Sequence, residues 1–163
     1  MAGVRIDCFA GSDDPRFAEA RTVRTRVFVE EQNVPLEEEW DELDAVATHL
    51  VAVADGNAAG TLRCYREGDW WRVGRVAVLP EYRGMGLAAR MMEACLGLAR
   101  ECGMKMSCLN AQSDKMGLYE KFGYARTGGE FMEASIPHYR MELFFSGRRP
   151  RGDADGPELI EHF

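Results

Sequence analysis

Two periods run through this sequence. Val4 to Cys8 alternates apolar and polar side chains and predicts a first strand. Phe17, Ala20, Val23 and Val27 then recur at helical spacing, which predicts an amphipathic helix running toward Glu31. Gly11-Ser12-Asp13-Asp14-Pro15 opens it with acidic caps and a proline in the first turn, and Asn33-Val34-Pro35 stops it. His49 to Ala54 reads as an apolar strand, Asp55-Gly56-Asn57 as a hairpin turn and Gly60 to Arg66 as the returning strand. Glu67-Gly68-Asp69 turns again, and Trp70 to Val78 completes an antiparallel meander.

Pro80 cannot donate a ladder hydrogen bond and closes that strand. Arg83-Gly84-Met85-Gly86-Leu87-Ala88 opens a long helix, with Leu87, Met91, Cys95, Leu98 and Cys102 as its buried stripe and Gly103 as its C-cap. Lys105 to Leu109 is a short strand, Ser113 to Phe122 a helix capped by Gly123, and Tyr124 to Arg126 and His138 to Phe145 the last two strands. The stretch 146–163 is polar and rich in glycine and proline, so a flexible tail is expected after a domain spanning 1–145.

Composition adds mainly exclusions. A chain of 163 residues, 46% hydrophobic and 29% charged, suits one soluble domain. No run approaches a membrane span, and the N-terminus lacks an apolar signal region, so no membrane partner is expected. Five cysteines, Cys8, Cys64, Cys95, Cys102 and Cys108, fall in predicted core elements without zinc or disulfide spacing. Reduced thiols in a cytoplasmic protein without a metal site are the expectation. A formal net charge of -7 argues against nucleic acid as a partner. The acidic run Glu37 to Asp44 reads either as a solvated loop or short helix, or as a negative rim over a cationic substrate.

The candidate chemistry lies in the loop before the long helix. A helix start leaves unpaired amides with partial positive charge, and Gly84 and Gly86 remove the side chains that would block approach to them. With Arg83 alongside, the loop is a cradle for an anion such as a phosphate. It lacks the Gly-Lys-Ser/Thr ending of a nucleoside triphosphatase loop. A dinucleotide fold would put the glycines directly after the strand and an acid at the next strand's end, whereas Leu79 to Arg83 intervene and Asn110 takes the second place.

RGMGLA resembles the Arg/Gln-x-x-Gly-x-Gly/Ala signature of the GNAT superfamily of N-acetyltransferases. LNAQSDKMGLYEKFGY, Leu109 to Tyr124, resembles the later superfamily block with its strand-end Asn and helical Tyr. RVFVEEQNVP and GGEFMEASIPHYRM resemble the ElaA/YjcF-like branch, and the likeness covers about residues 4 to 145. It implies an α/β fold: a mixed, mostly antiparallel central sheet flanked by helices and split at the acetyl-CoA site. It implies acetyl-CoA as donor, its diphosphate on Arg83, Gly84, Met85, Gly86, Leu87 and Ala88, and its pantetheine arm on the backbone of Val76, Ala77 and Val78.

By the same resemblance an amide of Val76 or Val78 polarises the thioester carbonyl. Asn110 suits a pantetheine amide. Tyr119 is expected to bind beside the cofactor and, as a phenol protonated at neutral pH, to serve as general acid toward the thiolate. Glu31 and His49 are the first candidates for the base that deprotonates the amine, with His138 third, and Gln32 and Asn33 could fix the acceptor. The implied function is N-acetylation of a primary amine on a small molecule by direct attack in a ternary complex. No cysteine is placed to serve as a covalent relay, with Cys108, next to the site strand, left open as the exception. A non-catalytic coenzyme A sensor and an acetyltransferase acting on a protein N-terminus or lysine are the alternatives. A homodimer is left open.

Overall fold

The computed structural model describes residues 3–145, so the expected tail at 146–163 lies outside the described residues. The α/β fold class expected from the sequence is found. Among the described residues seven strands appear: β1 (Val4–Ala10), β2 (Thr48–Ala54), β3 (Asn57–Glu67), β4 (Trp70–Val78), β5 (Met106–Gln112), β6 (Ala125–Glu133) and β7 (Ile136–Phe144). The helices are α1 (Phe17–Arg24), α2 (Leu36–Glu39), α3 (Leu43–Val46), α4 (Leu87–Glu101) and α5 (Met116–Glu120). The described chain divides into two compact units, 3–65 with 73–97 and 66–72 with 98–145.

In the first unit the strands follow the order β1-β2-β3-β4. β1 pairs antiparallel with β2, and β2 with β3 across a tight turn in which Asp55 and Gly56 both have positive φ. That is the pattern the right-handed twist of a hairpin demands. β2 is buried from His49 to Ala54, and Phe9, Phe17, Ala20, Val51 and Val53 form a core cluster beneath α1. Helical winding does continue to Glu31, but from Thr25 onward it is a π-helix. Asn33, at φ 61, ends it ahead of Pro35.

α4 turns Leu87, Met91 and Cys95 inward as expected. Its last turns bury Leu96 and Ala99 instead of Leu98 and Cys102, and Cys102 is exposed, as is Cys8. The expectation that all five cysteines are core residues is corrected at those two positions. None of the five forms a disulfide.

In the second unit the order is β5-β7-β6, with both ladders antiparallel. β5 runs three residues beyond the expected end, so Asn110 lies inside the strand, opposite Arg140, and does not terminate it. The helix expected from Ser113 to Phe122 is a 3-10 turn, Ser113–Lys115, followed by α5. β6 extends well past Arg126 to a hairpin turn at Ala134 and Ser135, both left-handed.

Candidate active site

After Val78 the chain folds into a hook that presents the start of α4. Leu79 N–H donates to the Ala59 carbonyl at 2.8 Å, and Pro80–Tyr82 makes one 3-10 turn. Gly84 at φ 83 and Gly86 at φ 77 then reverse the chain, a conformation open to glycine and strained for other residues. Arg90 N–H reaches back to the Gly86 carbonyl at 3.1 Å, so α4's hydrogen bonding begins there. A Cβ placed on either glycine would meet nothing within 4 Å. The surface over the first amides of α4 is therefore open, as an anion of phosphate size requires.

Three of the predicted site residues meet. Arg83 donates to both carboxylate oxygens of Glu31, at 2.8 and 2.7 Å, and through Nε to the Val78 carbonyl at 2.9 Å. The Glu31 carboxylate pushes the Arg83 pKa above its ordinary value. A parallel pair joins Arg26 to Glu81 at 2.8 and 3.0 Å. Arg26 and Glu31 are five residues apart. On an α-helix they would diverge by about 140°, whereas one turn of i→i+5 winding stacks them on one side. The Gln32 N–H to Val27 carbonyl bond, 3.1 Å, is such a turn. The π-helix thus lets one helix face clasp the loop at both Glu81 and Arg83. A shallow groove of about 450 Å³ beside this clasp is lined by Thr22, Arg26, Leu79 and Tyr82 among others, and by none of the predicted site residues.

A closed ring of six charges joins α1, the α2–α3 segment, β3 and β4. Arg24 Nε meets Glu39 Oε2 at 2.7 Å, and Glu39 Oε2 also accepts from Arg75 Nε at 3.1 Å. Arg75 Nη2 reaches Asp41 Oδ2 at 3.4 Å, and Asp41 is gripped by Arg63 at 2.6 and 2.9 Å. Arg63 Nη1 and Arg24 Nη1 both reach Asp44 Oδ1, at 2.9 and 2.7 Å, which closes the circle. Three cations balance three anions. Arg24 is 1% exposed, and its guanidinium lies 4.6 Å from the Trp40 ring.

Burial pushes the Glu39 carboxyl up, with Arg75 and Arg24 opposing. For Asp44 burial acts the same way, but the hydrogen bonds and charges of Arg24 and Arg63 win and hold it low. Hydrogen bonds from Arg63 hold Asp41 low as well. Glu39, Asp41 and Asp44 of the acidic run are thus spent on internal pairing. The short helices expected as one reading of that run are found as α2 and α3, with Glu37, Glu38 and Glu42 exposed, whereas Glu39 and Asp44 are buried in the ring.

The ring partners were missed in the sequence, although a signal existed. Arg24 falls seven residues after Phe17, on the apolar stripe of α1, and Arg63 sits within the buried middle of β3. Arg75 has φ 53 in the middle of β4. A left-handed non-glycine residue costs about 1–2 kcal/mol, and here its four acceptors, Glu39 Oε2, Asp41 Oδ2 and the carbonyls of Glu38 and Glu39, offset that.

His49 is corrected as a base. It is 1% exposed, stacked on Phe9 at 5.5 Å and edge-on to Phe17 at 5.0 Å. Its Nε2 donates to the Asp44 carbonyl at 2.9 Å, and Nδ1 is buried without a partner. Burial lowers its pKa, so it is a neutral core residue that no amine reaches.

In the second unit, Tyr119 is 7% exposed and lies edge-on to Tyr124, with centroids 6.2 Å apart. Burial alone pushes its hydroxyl well above the ordinary phenol value. Tyr124 and Ser107 share a 2.7 Å hydrogen bond, and Ser107 donates to the Trp71 carbonyl, which fixes the ring that Tyr119 packs on. Asn110 Nδ2 donates to Glu133 at 3.2 Å. His138 Nδ1 donates to the Ile136 carbonyl at 2.7 Å, and its Nε2 lies 3.9 Å from Glu133 Oε2. Cys108 is buried and its thiol pKa is raised by burial, which disfavours the thiolate a covalent relay needs.

Residues 17–145 match the family described as the Acetyltransferase (GNAT) domain. The chain belongs to this family and is a GNAT-type N-acetyltransferase, which implies an acyl-CoA donor. It falls in the ElaA/YjcF-like branch. The Bacillus subtilis N-acetyltransferase YjcF is 35% identical over 130 residues, covering 79% of this chain and 93% of the relative. An acyl-CoA N-acyltransferase of Pseudomonas aeruginosa superposes with a TM-score of 0.78 at 28% identity, covering 86% of this chain and 99% of the other. Escherichia coli ElaA shares the fold, with a TM-score of 0.77 at 23% identity over 85% of this chain and 99% of its own.

Proposed function

We propose that this enzyme moves the acetyl group of acetyl-CoA to a primary amine on a small molecule, by direct attack in a ternary complex in the cytoplasm. The observation that carries this reading is the open glycine hook, whose first helical amides and neighbouring Arg83 suit a diphosphate. Arg83 through Ala88 hold that group. The backbone of Val76, Ala77 and Val78 receives the pantetheine arm as an added strand would, and Asn110 takes one of its amides.

Glu31 is the base in this reading. Its carboxylate is committed to Arg83 in the clasp, and the arriving diphosphate competes for the same guanidinium. Cofactor binding then loosens that pair, and the Glu31 carboxylate holds the ammonium and takes its proton, directly or through water. Tyr119 is the acid. Its burial keeps it protonated throughout the physiological range. The same burial makes it a reluctant acid, so its first contribution is a hydrogen bond to the departing sulfur, with the proton following as negative charge develops.

Thiol release from acetyl-CoA across a panel of amines tests the reaction. Tyr119→Phe is expected to lower kcat about 100-fold with coenzyme A affinity retained. Release equal to the protein-free control across the panel would remove the reading.

A further inference from the structure

We propose that Arg75 is a positioning residue for acyl transfer: the six-charge ring locks its left-handed backbone and thereby aims the amide of Val76. The proposal rests on the reading that this amide meets the thioester carbonyl. Five non-glycine residues among those described have positive φ. Asp55, Ala134 and Ser135 sit in hairpin turns and Asn33 in the turn after the π-helix, whereas Arg75 lies inside a strand. A left-handed residue breaks the pleat and takes the peptide that follows it out of ladder phase. That peptide carries the Val76 N–H.

The conformation is held from the side-chain end. The Arg75 guanidinium meets two carboxylates and two carbonyls of the α2 segment, and those carboxylates are themselves fixed by Arg24 and Arg63. None of these groups needs to touch substrate. They hold a donor still, and a preorganised donor acts at the transition state without having to reorient.

The left-handed backbone predicts an inversion between two variants, and the carbonyl frequency of bound acetyl-CoA separates a positioning role from a structural one. In an ordinary strand alanine is better tolerated than glycine. If the left-handed backbone is what matters, Arg75→Gly should outperform Arg75→Ala, because glycine adopts that conformation freely. Isotope-edited infrared spectra of bound acetyl-CoA, labelled at the acetyl carbonyl, read the polarisation directly without an acceptor. The wild type should shift the carbonyl stretch to lower frequency. Arg75→Ala should lose the shift and about tenfold in kcat with little change in coenzyme A affinity by calorimetry, and Arg75→Gly should recover part of both. Asp41→Asn, which loosens the ring with Arg75 in place, should fall between.

A full shift in Arg75→Ala, or equal spectra for the alanine and glycine variants, would overturn the positioning role and leave the proposed reaction standing. Absence of any shift in wild-type protein that binds acetyl-CoA would overturn both the amide's part and this inference, while amine-dependent thiol release would still report the reaction.

Discussion

His49 illustrates how one side chain can be misread from its type alone. Its chemistry suits a base, yet Phe9 and Phe17 enclose it and Asp44 takes its proton-bearing nitrogen. The burial has a consequence for stability. The folded-state pKa lies below the ordinary 6.5, so the unfolded chain takes up a proton first as pH falls. The contribution is complete above about pH 6.5 and is lost as pH drops toward the folded pKa, with a slope of at most about 1.4 kcal/mol per pH unit. His49→Phe, which keeps the aromatic contacts, should flatten the Tm difference between pH 7.5 and 5.5 relative to wild type.

At the scale of elements, β4 and α4 were legible, and β6 was not. β4 spans Trp70–Val78, matching the expectation, because its apolar residues and two flanking turn signals are plain in the chain. β6 buries little, carries Gly128-Gly129 and shifts register between Thr127 and Phe131, so no alternation marks it. Its turn uses Ala134-Ser135 in left-handed backbone, where Asn-Gly would have been readable. The glycine hook was legible because glycine was required, and two substitutions separate its geometry from that of the fold. Gly86→Ala adds a Cβ into open space at φ 77 and should weaken coenzyme A binding about tenfold by calorimetry with a modest loss of stability. Gly60→Ala would bring Cβ to 3.0 Å from the Ala77 carbonyl and 2.9 Å from Met91 Cε. It should cost about 1–3 kcal/mol in urea unfolding, wherever the ligand binds.

At the scale of the molecule, the charge ring was illegible because its six members come from α1, the α2–α3 segment, β3 and β4, and no local pattern joins them. Its three guanidiniums and three carboxylates cancel, so the formal -7 of the chain belongs to groups outside it. Removing one member strands another's charge in the interior. Arg24→Ala should therefore destabilise by about 3–5 kcal/mol, seen as a large drop in the urea midpoint. Chain length enters the same way in the π-helix. Dropping a single amino acid such as Val29 would let Thr25–Glu31 rewind to ordinary pitch, and Arg26 and Glu31 could no longer grasp Glu81 and Arg83 together. In that one stretch the count of residues matters as much as their identity, and a relative one residue shorter there would hold its glycine loop differently.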